Sequence, residues 1–206
     1  MSKQHWLNLP LVAGLENSMT CLTAPQPCAT LMAMVPATIE ALHSQYSRAG
    51  PESLACVEAG LWLLADDLPT CHRICQDIPT PLGSAWHAIM HRREGDFSNS
   101  LYWWRRVGVI RWLDPRDGSD IAVSIGRSAG GDAVSQRLTR QLARQYDPAE
   151  FTRVVEASAR GKLPVSADLL VRIARLEWLS LFGMSMAALG AADAGGDSRL
   201  AATQSS

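Results

Sequence analysis

The chain has no CxxC pair, no apolar run that approaches a membrane span, and almost no net charge. Each shortage removes a class of function. Without a CxxC pair, a cysteine-built structural zinc site is not expected. The five cysteines, at 21, 28, 56, 71 and 75, are odd in number and fit no disulfide framework. Reduced thiols in a cytoplasmic protein are the simplest reading. Cys71 and Cys75 stand one helical turn apart, which suits packing on one face at least as well as metal binding. A membrane-spanning helix needs roughly 20 apolar residues, and none is present. The first twenty residues, MSKQHWLNLPLVAGLENSMT, hold only short apolar pieces interrupted by Pro10 and Glu16, so they do not read as a signal peptide. A net charge of −1 provides no bulk field for nucleic acid or an anionic membrane. The local pairs Arg92–Arg93 and Arg105–Arg106 read as solvated helix faces. IGRSAGGDA has no Walker lysine, GxSxG is missing, and Ala88 after His87 rules out HExxH.

Helical periodicity is abundant. Residues 1–35 are punctuated by Pro25, Pro27 and Pro36 and read as an irregular N-terminal segment. The spacing of Ile39, Leu42 and Tyr46 predicts a helix over 37–49, and Gly50–Pro51 ends it. Leu54, Val57, Leu61, Leu64 and Leu68 recur at threes and fours, an amphipathic signal. Thr70 is a candidate cap for a short helix through Cys71, Ile74, Cys75 and Ile78, and Asp66–Asp67 read as solvated or as capping groups. IPTPLG breaks the chain. Ser84 then opens a helix to about Arg93, Gly95 closes it, and Asp96 or Ser98 caps a second helix to Val107, stopped by Gly108. Residues 109–130 read as a turn-rich insertion around IAVSI, a candidate short strand. Helix returns over 133–146. Asp147, Pro148 and Glu150 mark the start of the next one. Ser166 caps a long final helix to about Leu189. The small, polar residues 190–206 read as a disordered tail. The expectation is an all-α protein, an irregular bundle or array of about seven helices, with a single helical domain over 36–189.

The chemistry concentrates in WHAIMHRREGDFSNSLYWW, residues 86–104. His87, His91 and Glu94 lie at i, i+4 and i+7, within about 60° of one another on a helix. Two imidazoles one turn apart suit a divalent metal, and a carboxylate on the next turn would serve as third ligand or general base. An isolated HxxxH is weak evidence, because such histidines also sit at the core edge and form hydrogen bonds. Glu58 flanks the stripe of its helix, and Glu177 lies inside the stripe Ile173–Leu181. A buried carboxylate must be paired, so each either joins the histidines or pairs with Arg92, Arg93 or Arg175. His72 is one further partner on offer. Tyr102, Trp103 and Trp104 cover more than half a helix circumference, so at least one of them faces a groove, a pocket or a partner.

The run GLWLLADDLPTCHRICQDIPTPLGSAWHAIMHRREGDFSNSLYWWRRVG resembles a group of uncharacterised bacterial and fungal proteins. They carry a WHxIxHRREGD helix followed by a SNxxYWxRRVG helix. The similarity is dense from Gly60 to Gly108. It implies kinship and no particular activity.

Two functional classes stay open. In one, the hairpin 84–107 walls a polar pocket for a metal ion or small polar ligand. His87, His91 and Glu94 would carry it, Glu58 and Glu177 would add to it, and Trp86, Tyr102, Trp103, Arg92 and Arg93 would line it. Hydrolytic or acid/base chemistry would fit such a set. In the other, the protein is a non-enzymatic module whose aromatic helix docks a protein partner. The first requires Glu58, His91 and Glu177 to converge, and the second requires a broad exposed apolar groove.

Overall fold

A computed structural model describes residues 5–13, 22–23, 25–114, 116, 119–127 and 132–203, the last eight of these as helical backbone only. Among the described residues the fold is all-α, with ten α-helices and no strand. A 3-10 turn, His5–Asn8, precedes α1, Pro10–Ala13. Then follow α2 (Ala29–Gln45), α3 (Pro51–Leu64), α4 (Leu68–Cys75), α5 (Pro81–Glu94) and α6 (Phe97–Val107). The chain closes with α7 (Ile121–Arg127), α8 (Ala133–Leu142), α9 (Pro148–Ala159) and α10 (Ala167–Thr203). No described helix is both long and apolar enough to cross a membrane.

Several boundaries differ from the sequence expectation, and each difference has a local cause. α2 begins at Ala29, so residues 29–35 are helical rather than irregular, and Pro36 lies inside the helix. Leu31 and Val35 are buried and continue the Ile39–Leu42 stripe backwards past Pro36, so burial outweighs the one hydrogen bond that proline lacks. Asp67, not Thr70, caps α4: its Oδ1 accepts the Thr70 amide at 3.1 Å. Thr80 rather than Ser84 caps α5, accepting the Gly83 amide at 3.2 Å, and Pro81 occupies the first turn, where its missing N–H costs nothing. IAVSI is helical, not a strand. Its only strand-like feature is a bridge between Leu113 and Asp120 ahead of α7. α10 runs on through Thr203, past the end near Leu189 that the sequence suggests. Cys21, Pro115, Asp117, Gly118 and residues 128–131 lie outside the described residues, and with them much of the turn-rich stretch.

The hairpin follows its sequence signals closely. Gly95 takes φ 82°, which glycine adopts without strain. Its amide bonds the Arg92 carbonyl at 3.1 Å, and the Asp96 amide bonds that of His91 at 2.9 Å. This is a Schellman closure. Asp96 then caps α6 through the Asn99 amide at 3.1 Å. Ser100 ties the two helices by donating to the Ala88 carbonyl at 2.7 Å.

The core gathers around α5 and α10. Every residue of α5 from Gly83 to Arg93 is buried, so this helix is enclosed on all sides. Trp86 donates its indole N–H to Ser185 at 3.1 Å, and Trp178 donates to the Gly60 carbonyl at 3.0 Å. Trp178 stacks on Phe182 with ring centroids 4.6 Å apart. Cys71 and Cys75 are buried free thiols, in keeping with a packing role.

Candidate metal centre

Because α5 is enclosed, its two histidines meet protein on both sides. His87 and His91 stack one turn apart, with ring centroids at 4.6 Å. From α4, His72 approaches both, at 4.8 Å from His87 and 5.0 Å from His91. From α6, Trp103 lies against His87 at 4.0 Å, nearly parallel to it. One ligand atom from each of His72, His87 and His91 lies within 4.8 Å of the others. A tetrahedral ion with bonds of about 2.1 Å holds its ligands about 3.4 Å apart, closer than the widest spacing in this set.

The three rings are not equivalent. His91 donates from Nδ1 to the Glu94 carboxylate at 3.1 Å, which leaves Nε2 as its lone-pair nitrogen. His87 is buried, and neither of its ring nitrogens has a hydrogen-bond partner in the protein. Burial, and then the neighbouring His91 and His72, push its pKa down from 6.5 to about 3. Burial lowers the His91 pKa too, against the opposing pull of Glu94. At neutral pH both rings are therefore neutral, the form that binds metal. His72 is half-buried, the least enclosed of the three.

The sequence-selected residues divide into distinct places. His87 stacks on His91, His91 meets Glu94, and Trp103 lies against His87. Glu58 does not join them: it pairs with His43 at 2.6 Å on the outer side of α2 and α3. Glu177 does not either. Wholly buried, it takes both guanidinium nitrogens of Arg92 and the Tyr146 hydroxyl at 2.5 Å. The convergence of Glu58, His91 and Glu177 is thus not formed. Arg92 and Arg93 are not solvated, since both are about 1% exposed. Arg92 also lies over the Phe151 ring at 4.7 Å. Arg93 binds Asp66 at 2.6 Å. Asp66 has a left-handed backbone, φ 64°, and its other oxygen accepts the Gln26 amide at 2.5 Å. Trp86 belongs to the core. Tyr102 is exposed, with Arg106 within reach of its hydroxyl at 3.5 Å.

His72 is the residue that sequence reasoning left outside the ligand set. It lies fifteen positions before His87 in another helix, so no periodic spacing links the two. The one available signal is that TCHRIC puts a histidine one residue after buried Cys71, at the edge of a short helix.

Compared with known protein families, curated proteins and solved structures, the chain matches none.

Proposed function

We propose that the protein binds a divalent transition metal through His72, His87 and His91, with Glu94 orienting His91. The observation that carries this reading is His87. A buried imidazole with two unsatisfied nitrogens is costly, and a metal bond would satisfy one of them. The Glu94–His91 contact supports it, since a carboxylate on the distal nitrogen is the usual support of a metal-bound histidine. Three neutral imidazoles suit zinc or a neighbouring first-row metal better than calcium or magnesium, which take oxygen ligands.

Three protein ligands leave a fourth position for water. Such a centre lowers the pKa of bound water to about 7 and supplies a hydroxide for hydrolytic chemistry. His72, half-buried, marks the side from which water and substrate would enter. The metal ligands His87 and His91 lie inside the WHxIxHRREGD motif, and on this reading the motif is the metal-binding helix of that kinship.

The interaction-module reading has less support. Among the described residues the exposed large apolar side chains are Tyr102, Val109 and Val123, on α6, the following loop and α7. Scattered single residues of this kind are ordinary surface.

Metal content by mass spectrometry tests the proposal, using untagged protein purified without chelator. One equivalent of zinc, cobalt or nickel is expected in the parent, with near-complete loss in His87→Ala/His91→Ala and in His72→Ala. A metal-free parent that also fails to take up added zinc would overturn it.

A further inference from the structure

One cavity lies away from the histidines. It measures about 350 Å³ and opens between the end of α6, the irregular run 108–112 and the start of α9. That volume suits a small organic ligand. Trp104, Trp112 and Tyr146 line it, each at least nine-tenths buried and so fixed in place. Trp112 stands nearly perpendicular to the other two rings, 6.0 Å from Trp104 and 5.5 Å from Tyr146. The three rings pack edge to face at one corner of the cavity. Their polar hydrogens are partly spent elsewhere: Trp104 donates to Thr152 at 3.1 Å, and Tyr146 donates to Glu177 at 2.5 Å. The remaining lining is Val107, Gly108, Val109, Ile110, Gln145, Asp147, Pro148 and Ala149. It contains one charged side chain, the Asp147 carboxylate, and no lysine or arginine.

The geometry points to a binding site for a small organic cation, an alkylammonium group held against the Trp104–Trp112–Tyr146 corner and balanced by Asp147. A cation is attracted to aromatic faces, and more so where water is excluded. An anion would meet one carboxylate, electron-rich rings and no basic side chain. A neutral ligand of the same shape would gain burial but no electrostatic attraction. The pre-set rings lose little conformational freedom on binding. The inference is independent of the metal centre, because no lining residue belongs to that site.

The test compares choline with its neutral isostere 3,3-dimethyl-1-butanol, each titrated into full-length protein and followed by the indole N–H signals in nitrogen–proton NMR spectra. Choline is expected to shift the Trp104 and Trp112 signals saturably and to bind about tenfold more tightly than the isostere. Asp147→Asn keeps the helix cap, because asparagine caps as well as aspartate, and removes only the charge. That variant should weaken choline binding about threefold and leave the isostere unchanged. Equal affinity for the two probes, or choline binding indifferent to Asp147→Asn, would overturn the proposal. So would the lack of any saturable shift.

Discussion

His91 and Glu94 sit one turn apart on α5 with Nδ1 and a carboxylate oxygen 3.1 Å apart, and this contact fixes which imidazole nitrogen keeps its lone pair. The carboxylate accepts only, so the proton stays on Nδ1 and the lone pair stays on Nε2. Glutamine at 94 would keep the size of the side chain and lose the charge. Glu94→Gln should weaken zinc affinity about 10–100-fold, the usual cost of losing such support, while thermal stability without metal changes little. Competition with a chromogenic chelator measures the affinity. A variant that holds zinc as tightly as the parent would remove Glu94 from the centre.

Acid should destabilise the metal-free protein through His87. The groups facing it are His91 on its own helix, His72 from α4 and Trp103 from α6, with the Glu94 carboxylate engaged by His91. Unfolded, the imidazole takes up a proton near 6.5; folded, it does so only near 3. Between these values the unfolded chain holds more protons, so stability rises with pH in that window. It is fully present above about 6.5 and declines as the pH falls toward 3. The lowered pKa of His91 acts in the same direction. Urea midpoints measured with chelator above and below the ordinary imidazole range should show this decline, and His87→Leu should flatten it. An equally steep decline in that variant would locate the acid sensitivity elsewhere.

The hairpin was readable because its signals are local. Gly95 and Asp96 declare the turn through their own backbone needs, and the i, i+4 spacing of His87 and His91 already places both on one face. The partner of Glu177 was readable only as one of three arginines and that of Glu58 not at all, because a helical stripe tells that a carboxylate is near the core and not which residue from a distant helix meets it. Glu177 found Arg92, eighty-five positions away, and Glu58 found His43. The same limit hid His72. The misplaced starts of α2 and α5 arose from treating prolines as breaks. Pro81 is a helix opener, and Pro36 is tolerated because Leu31 and Val35 bury their side chains just before it.

The Arg92–Glu177 pair should respond unequally to single and double replacement. Both side chains are buried, and Tyr146 adds a hydrogen bond to the carboxylate. Burial alone would lower the Arg92 pKa, but the Glu177 and Tyr146 oxygens raise it above its ordinary value, so the guanidinium stays charged. Glu177→Ala leaves that charge unbalanced and should cost about 3–5 kcal/mol. Arg92→Met/Glu177→Leu removes both charges and should cost clearly less, because neither leaves an unpaired ion behind. Chemical denaturation of the parent and the two variants decides it, and a double variant less stable than Glu177→Ala would contradict this account.

At Gly60, α3 packs closely against the aromatic core. A Cβ there would stand 2.8 Å from Trp86 Cζ2 and 2.9 Å from Phe182 Cδ2, inside normal contact distance. Neither ring can move freely. Trp86 is held by Ser185, and Phe182 is stacked on Trp178, whose own indole N–H binds the Gly60 carbonyl. Gly60→Ala therefore brings two opposed effects. The extra methyl favours the helix by about 1 kcal/mol relative to glycine. Overpacking a close-fitted core costs about 1–3 kcal/mol. With both neighbours pinned, the second effect should win, and the variant should unfold at a lower denaturant concentration than the parent. Gly50, at the start of the same helix, serves as the control, since an added Cβ there meets nothing within 4 Å. If Gly60→Ala proved as stable as the parent, α3 would have to shift away from Trp86 at little cost, and the core around α5 and α10 would be looser than its contacts imply.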